Sequence, residues 1–247
     1  MREIRWSFST SCEWFVDHAS SIEHLVQDYD PFTSLTKDVM AERKGAVFTK
    51  CPAHTDFIKN TFIIRAPFDL TINSKIDPVT NDGELWCDNL TQEQFKQIID
   101  TRFLFNNERG INPWPIIGID WLYCFTSDVS TILQIMPAFM HRNQFVEKTI
   151  MVPGQFDISK WVRNVETAFE VRGNNERIEI KKGDAIMYAK FLCDEPVRLV
   201  QESIPWEEMY VCNEIKSKDR NRPLQNRYEE YAKVRAAKCP YPHDKQD

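Results

Sequence analysis

The chain has 247 residues, of which 42% are hydrophobic and 28% charged, with 16 phenylalanines, seven tryptophans and only seven glycines. A chain of this length buries enough apolar surface to fold without disulfides or a metal, and so few glycines argue against a Gly-rich phosphate loop or an array with a tight turn in every repeat. The formal net charge of −6 favours solubility and disfavours a broad nucleic-acid surface, which needs clustered Lys and Arg.

In chain order, the opening MREIRWSFSTSCEWF lacks the apolar stretch of a signal peptide. Ile4, Trp6 and Phe8 alternate there with Arg5, Ser7 and Ser9, the period of a half-buried strand. A turn is expected at Asp30-Pro31, then a helical start in TSLTKDVMAERKG. NTFIIRAPFDLTI reads as two strands broken at Pro67, because proline cannot donate to a central ladder. Asn81-Asp82-Gly83 marks a tight turn. A short helix is expected from Thr91, with Gln94 completing a capping box and Phe95, Ile98 and Ile99 forming its apolar stripe.

From Pro113 onward the pattern is strongly β. WPIIGIDWLYCFTSD, TILQIMPAF and VEKTIMVPGQFD are apolar runs ending in turns, and three more strands are expected between Thr167 and Ser203. In RIEIK, Ile178 and Ile180 should face inward while Arg177, Glu179 and Lys181 face out, with Gly183-Asp184 as a hairpin turn. Short strands at about ten-residue spacing describe a mostly β fold, a β-sandwich or jelly roll with peripheral helices, over residues 1–212. Residues 213–247 are charged, interrupted by Pro223, and read as a C-terminal helical appendage and tail docking through Tyr228, Tyr231 and Val234. On that reading a chain ending near Ser217 stays folded. No repeat is found, and no run reaches the roughly 20 apolar residues of a membrane span.

Seven cysteines lie singly, with no C-x-x-C pair. They read as reduced, mostly buried thiols, Cys51 included, in a protein of the cytoplasm.

Four segments in order, KCPAHTDFIKNTFIIRAPFDLTI, NPWPIIGI, PGQFDISKWVR and IEIKKGDAIMYAKF, span roughly residues 50 to 191. In them the chain resembles an uncharacterised β-rich protein family of tailed bacteriophages, marine ones especially. The Cys-Pro, Asn-Pro-Trp and Lys-Gly-Asp-x-Ile segments carry the likeness. The resemblance implies a phage origin, the host-cell cytoplasm as compartment and a β fold; it implies no activity.

Chemistry is sparse. His54-Thr55-Asp56 has the H-x-D spacing that opens many non-haem iron sites, and His141, 87 residues on, is the one usable distal histidine. An alternative reading is therefore a cupin-like Fe(II)-dependent oxygenase with His54, Asp56 and His141 as ligands. Against it, position 151, where a co-substrate-binding basic residue belongs, is Met. The simpler reading makes His54 part of a surface loop and Asp56 a turn cap. No G-x-S-x-G or dinucleotide fingerprint occurs. Trp161 and Arg163 would share one face of an extended strand with Ser159. With Trp114 they compose an aromatic and cationic candidate site for a small anionic ligand or a partner's carboxylate. The expected function is thus a binding or interaction protein acting on a host or phage component. It would need no cofactor and would engage neither membrane nor nucleic acid. A virion structural component is a further alternative, and no reaction is assigned.

Overall fold

The apolar run beginning at Ile116 forms one long strand, β7 (Ile116–Thr126), in the middle of a six-stranded sheet. The computed structural model describes residues 1–8, 32–42, 50–77, 83–100, 116–173, 175–204 and 224–238. On one side of β7 lies β1 (Arg2–Phe8), antiparallel to it and parallel to β14 (Val197–Gln201) at the sheet's edge. On the other side lie β11 (Asn164–Val171) and the edge strand β9 (Thr149–Val152); the two-residue β6 (Ile99–Asp100) also pairs with β7. A second sheet runs β10 (Gly154–Asp157), β8 (Ile132–Pro137), β13 (Ala185–Leu192), β3 (Thr61–Arg65), β2 (Phe32–Ser34). A third joins β12 (Asn175–Ile180), β4 (Leu70–Ile76) and β5 (Gly83–Cys87). The result is a mostly β, sandwich-like fold with a few peripheral helices.

The chain breakers act as corners between sheets, the places where strands of packed sheets change layer. Pro67 separates β3 of the second sheet from β4 of the third. Pro153 separates β9 of the first sheet from β10 of the second. Gly183, at φ +93°, lies between β12 of the third sheet and β13 of the second. The Gly183-Asp184 turn is therefore a corner and not the hairpin expected from its sequence: Lys181 N–H donates to the Asp184 carboxylate at 2.9 Å, but the flanking strands pair elsewhere.

Burial follows the expected alternation in β12 and in β1 as far as Trp6, after which Ser7 is buried and Phe8 only half-buried. Ile4 and Trp6 are buried, as are Ile178 and Ile180. Aromatic rings join the first two sheets: Phe32 of β2 packs edge-on to Trp6 at 4.7 Å and against Tyr123 at 5.3 Å, while Phe125 meets Phe191 at 5.6 Å. The Tyr123 hydroxyl donates to the Arg65 carbonyl, 3.0 Å away, so even the polar tip of this buried ring is used to tie the sheets together.

Helices cover the periphery. These are α1 (Leu35–Glu42), α2 (Pro52–Ile58), α3 (Gln92–Ile98), α4 (Gln144–Lys148) and α5 (Leu224–Lys238). Thr91 caps α3 and Gln94 completes the capping box, as its sequence required. The C-terminal helix is built into the β domain. Tyr231 is buried with Cys124, Trp161, Val162 and Ile204, and the Tyr228 hydroxyl accepts the Asp157 backbone N–H at 2.6 Å. A cut before α5 would open this satellite core.

β7 is not regular. Leu122 has φ +64°, a conformation that costs a non-glycine residue on the order of 1–2 kcal/mol. The ladder to β11 shifts register opposite it, between Asn164 and Glu166. This bulge lets Trp121, Leu122 and Tyr123 all be buried in succession, which a strict period of two forbids. Asp120 holds it: one carboxylate oxygen accepts the Leu122 N–H and the other the Asn164 side-chain amide, each at 2.8 Å. Asp120→Ala should cost about 1–3 kcal/mol by stranding the Leu122 N–H, and Asp120→Asn, which keeps an acceptor, should cost less; chemical denaturation of the two variants reads this directly.

Candidate functional site

His54 and Asp56 lie on a helix, which corrects the expectation of a loop. Pro52 at the first turn presets the backbone, and α2 runs from there to Ile58. Two positions apart on a helix, side chains diverge by roughly 200°, so the H-x-D spacing, which converges on a strand, cannot converge here. His141 is engaged elsewhere. Its Nε2 lies 3.2 Å from the Asp38 carboxylate and its Nδ1 2.8 Å from the Tyr188 hydroxyl, while Arg65 donates to the other Asp38 oxygen at 3.2 Å. Among the described residues no group of three or more His, Cys, Asp or Glu is arranged to hold a metal ion. His54, Asp56 and His141 are thus not brought together, and both ring nitrogens of His141 are already in use.

What α2 does position is a groove. Its last turn leads into Asn60, whose φ of +54° is left-handed, a conformation asparagine tolerates better than most residues. From there the Asn60 side-chain amide donates to the carbonyls of Cys193 (3.0 Å) and Glu195 (2.8 Å), and its oxygen accepts the Val197 N–H (3.0 Å). Its own carbonyl accepts the Phe191 N–H at 3.0 Å. One residue therefore clamps the crossover from β13 to β14, that is, from the second sheet to the first.

Beside this clamp, between the edge strands β2 and β14, opens a groove of about 610 Å³. Phe62, Pro196 and Val197 give it an apolar floor; Ser34, Thr36 and Thr55 add hydroxyls; Lys50, Lys59 and Asp56 supply charge. A contiguous hollow of about 360 Å³ shares Asp56, Lys59 and Asn60 and reaches Lys190 and Cys193. Among the described residues neither Lys50 nor Lys59 has a carboxylate within ion-pair distance. Asp56 forms no ion pair among the described residues either, so the groove carries two lysines against one carboxylate.

Two reactive groups of the hollow, Lys190 and Cys193, are engaged in hydrogen bonds. Burial lowers the Lys190 pKa and the neighbouring Lys59 adds to this, with Asp56 acting in the opposite sense. Yet its ammonium donates to the carbonyls of Asp56 (3.0 Å), Phe57 (2.6 Å) and Lys59 (3.4 Å), so all three protons are committed to capping the end of α2. Burial raises the Cys193 pKa, against the pull of Arg2, and its thiol donates to the Glu195 carbonyl at 3.4 Å. A thiol held protonated is a poor nucleophile. Cys51, expected to be buried, is exposed as the N-cap of α2.

The aromatic-cationic candidate takes a different form from the one expected. Residues 158–160 turn, so Ser159, Trp161 and Arg163 do not share a strand face. Asp157 makes the turn: its carboxylate accepts from Ser130 (2.7 Å), the Thr131 N–H (3.3 Å), and the Ser159 N–H (3.0 Å) and hydroxyl (2.6 Å). Trp161 is thereby turned inward, 3% exposed, and its indole N–H has no hydrogen-bond partner among the described residues. Arg163 sits 5.7 Å from the Trp161 ring centre and 3.1 Å from Glu166; Arg227 of α5 approaches the same ring at 5.4 Å. Trp114 lies outside the described residues.

No protein-family model, curated protein or solved structure matches the chain. The groove residues Lys50, Lys59 and Asn60 carry no motif in the sequence. One signal was available for Asn60, namely an asparagine just past a proline-initiated helix, where left-handed backbone is common.

Two outcomes are expected. Asn60→Gly keeps the left-handed backbone and removes the clamp, at a cost of about 1–3 kcal/mol, and Asn60→Ala should cost roughly 1 kcal/mol more; urea unfolding of both separates the two terms. Burial works to raise the Asp157 pKa, but its hydrogen bonds from Ser159, Ser130 and Thr131 outweigh that and hold the carboxyl below the usual aspartate range. The sign follows: its contribution is present above the unfolded pKa and is lost as pH falls through the folded one. Asp157→Asn should therefore flatten the decline in stability below pH about 4, measured by urea titrations at successive pH values.

Proposed function

We propose that the chain is a non-enzymatic binding protein of a tailed bacteriophage, acting on a host or phage component that presents an acidic segment to the groove beside Asn60. The observation that carries this reading is the meeting of two exposed lysines, Lys50 and Lys59, against the single carboxylate of Asp56, with the apolar side chains of Phe62, Pro196 and Val197 in an open groove. The reactive groups within reach, Lys190 and Cys193, are committed to structural hydrogen bonds. An open trough suits an extended segment of a macromolecule better than a small molecule, which prefers an enclosed cavity. The phage assignment rests on the Cys-Pro, Asn-Pro-Trp and Lys-Gly-Asp-x-Ile segments of the sequence. No helix among the described residues is long and apolar enough to cross a membrane.

The test uses a fluorescently labelled polyglutamate peptide as probe. Anisotropy should show binding that weakens with added salt, as expected for exposed charges. The double variant Lys50→Glu, Lys59→Glu should bind at least about tenfold more weakly with an unchanged melting temperature, since both side chains are exposed. Equal binding by the two proteins, or none by the wild type, would overturn the assignment.

A further inference from the structure

The far side of the first sheet ends in β9, whose outer edge has no strand partner among the described residues. Its backbone orientation follows from one bond. Arg172 N–H donates to the Lys148 carbonyl at 2.8 Å, and these two residues are in register with the β9–β11 ladder. In an antiparallel pair hydrogen-bonded positions alternate. Ile150 and Val152 therefore point their N–H and C=O groups at β11, and Met151 points both of its own outward. Side chains alternate in the other sense: Met151 is buried, while Ile150 is 44% and Val152 46% exposed.

Beyond its shortness and the flanking Pro153, the edge carries none of the usual protections among the described residues. Thr149 to Val152 contains no charge, and the lysine before it is turned away, with Lys148 Nζ on the Arg177 carbonyl (2.8 Å) and Glu176 (3.2 Å). Strand TIMV is also self-complementary. Set antiparallel to itself about Met151, the two Met151 residues exchange both backbone hydrogen bonds, and Ile150 of each copy lies opposite Val152 of the other, on the same face. Pro153, lacking an N–H, ends the ladder at the next bonded position and so limits alternative registers.

We propose that a second copy of this chain pairs edge to edge through β9, joining two six-stranded sheets across a two-fold axis. An isologous contact of this kind closes as a dimer and does not propagate. Only a short strand takes part, so the dimer is weak and forms with rising concentration. This inference is independent of the lysine groove on the opposite edge.

Sedimentation velocity across a concentration series should show a monomer of 29.1 kDa shifting towards a dimer, and the double variant Ile150→Lys, Val152→Lys should stay monomeric. A wild type that remains monomeric at every concentration overturns the proposal, including the case in which β9 accepts a strand from another protein; so does a double variant that dimerises as the wild type does. If the double variant fails to fold, the Met151 amide of the wild type decides. Its hydrogen exchange should slow as concentration rises, and a rate independent of concentration overturns the proposal.

Discussion

The Asn60 side chain holds the passage from β13 to β14, donating to the carbonyls of Cys193 and Glu195 and accepting the Val197 N–H, and the open side of the sandwich depends on these bonds. β13 and β14 belong to different sheets, so the backbone between them leaves one ladder before it enters the next. Polar groups in such a passage must find partners off the ladder. One amide, projected from a left-handed backbone position, supplies them and at the same time fixes the last turn of α2 against the end of β13.

The same division of labour recurs through the fold. Side-chain carboxylates and amides stand where ladders fail: Asp120 at the Leu122 bulge, Asp157 at the turn that buries Trp161, Asp184 at the corner near Gly183. Each satisfies backbone N–H groups that the sheet cannot. Lys190 does the complementary task for carbonyls at the end of α2. Polar residues that look available for chemistry in the sequence are, in the fold, the fittings that let three sheets share one core.

Elements whose side-chain period is simple were legible in the sequence. β1, β12 and the capped helix α3 follow from alternation and from a local capping motif, because each depends on residues near in sequence. The burial of Tyr228 and Tyr231 against the β domain was legible for the same reason, although the identity of their partners, Asp157 and Trp161, was not. For the candidate site residues, the spacing in the sequence implied a strand geometry that the fold does not have. His54 and Asp56 have strand-like spacing on a helix, and Trp161 and Arg163 have strand-like spacing across a turn.

What the sequence by itself determined is the class: a mostly β fold, the positions of its breaks at Pro67, Pro153 and Gly183, and the inward faces of its alternating strands. These are set by local sterics and by a period of two. Only the tertiary structure decided which sheet each strand joins, and hence that the breaks are corners, that His141 answers Asp38 and Tyr188, and that Lys50, Lys59 and Asn60 meet at one groove. Those outcomes depend on contacts between residues far apart in sequence, such as the 133 positions between Asn60 and Cys193. No local preference encodes such a contact, because it is the packing of whole sheets that makes it.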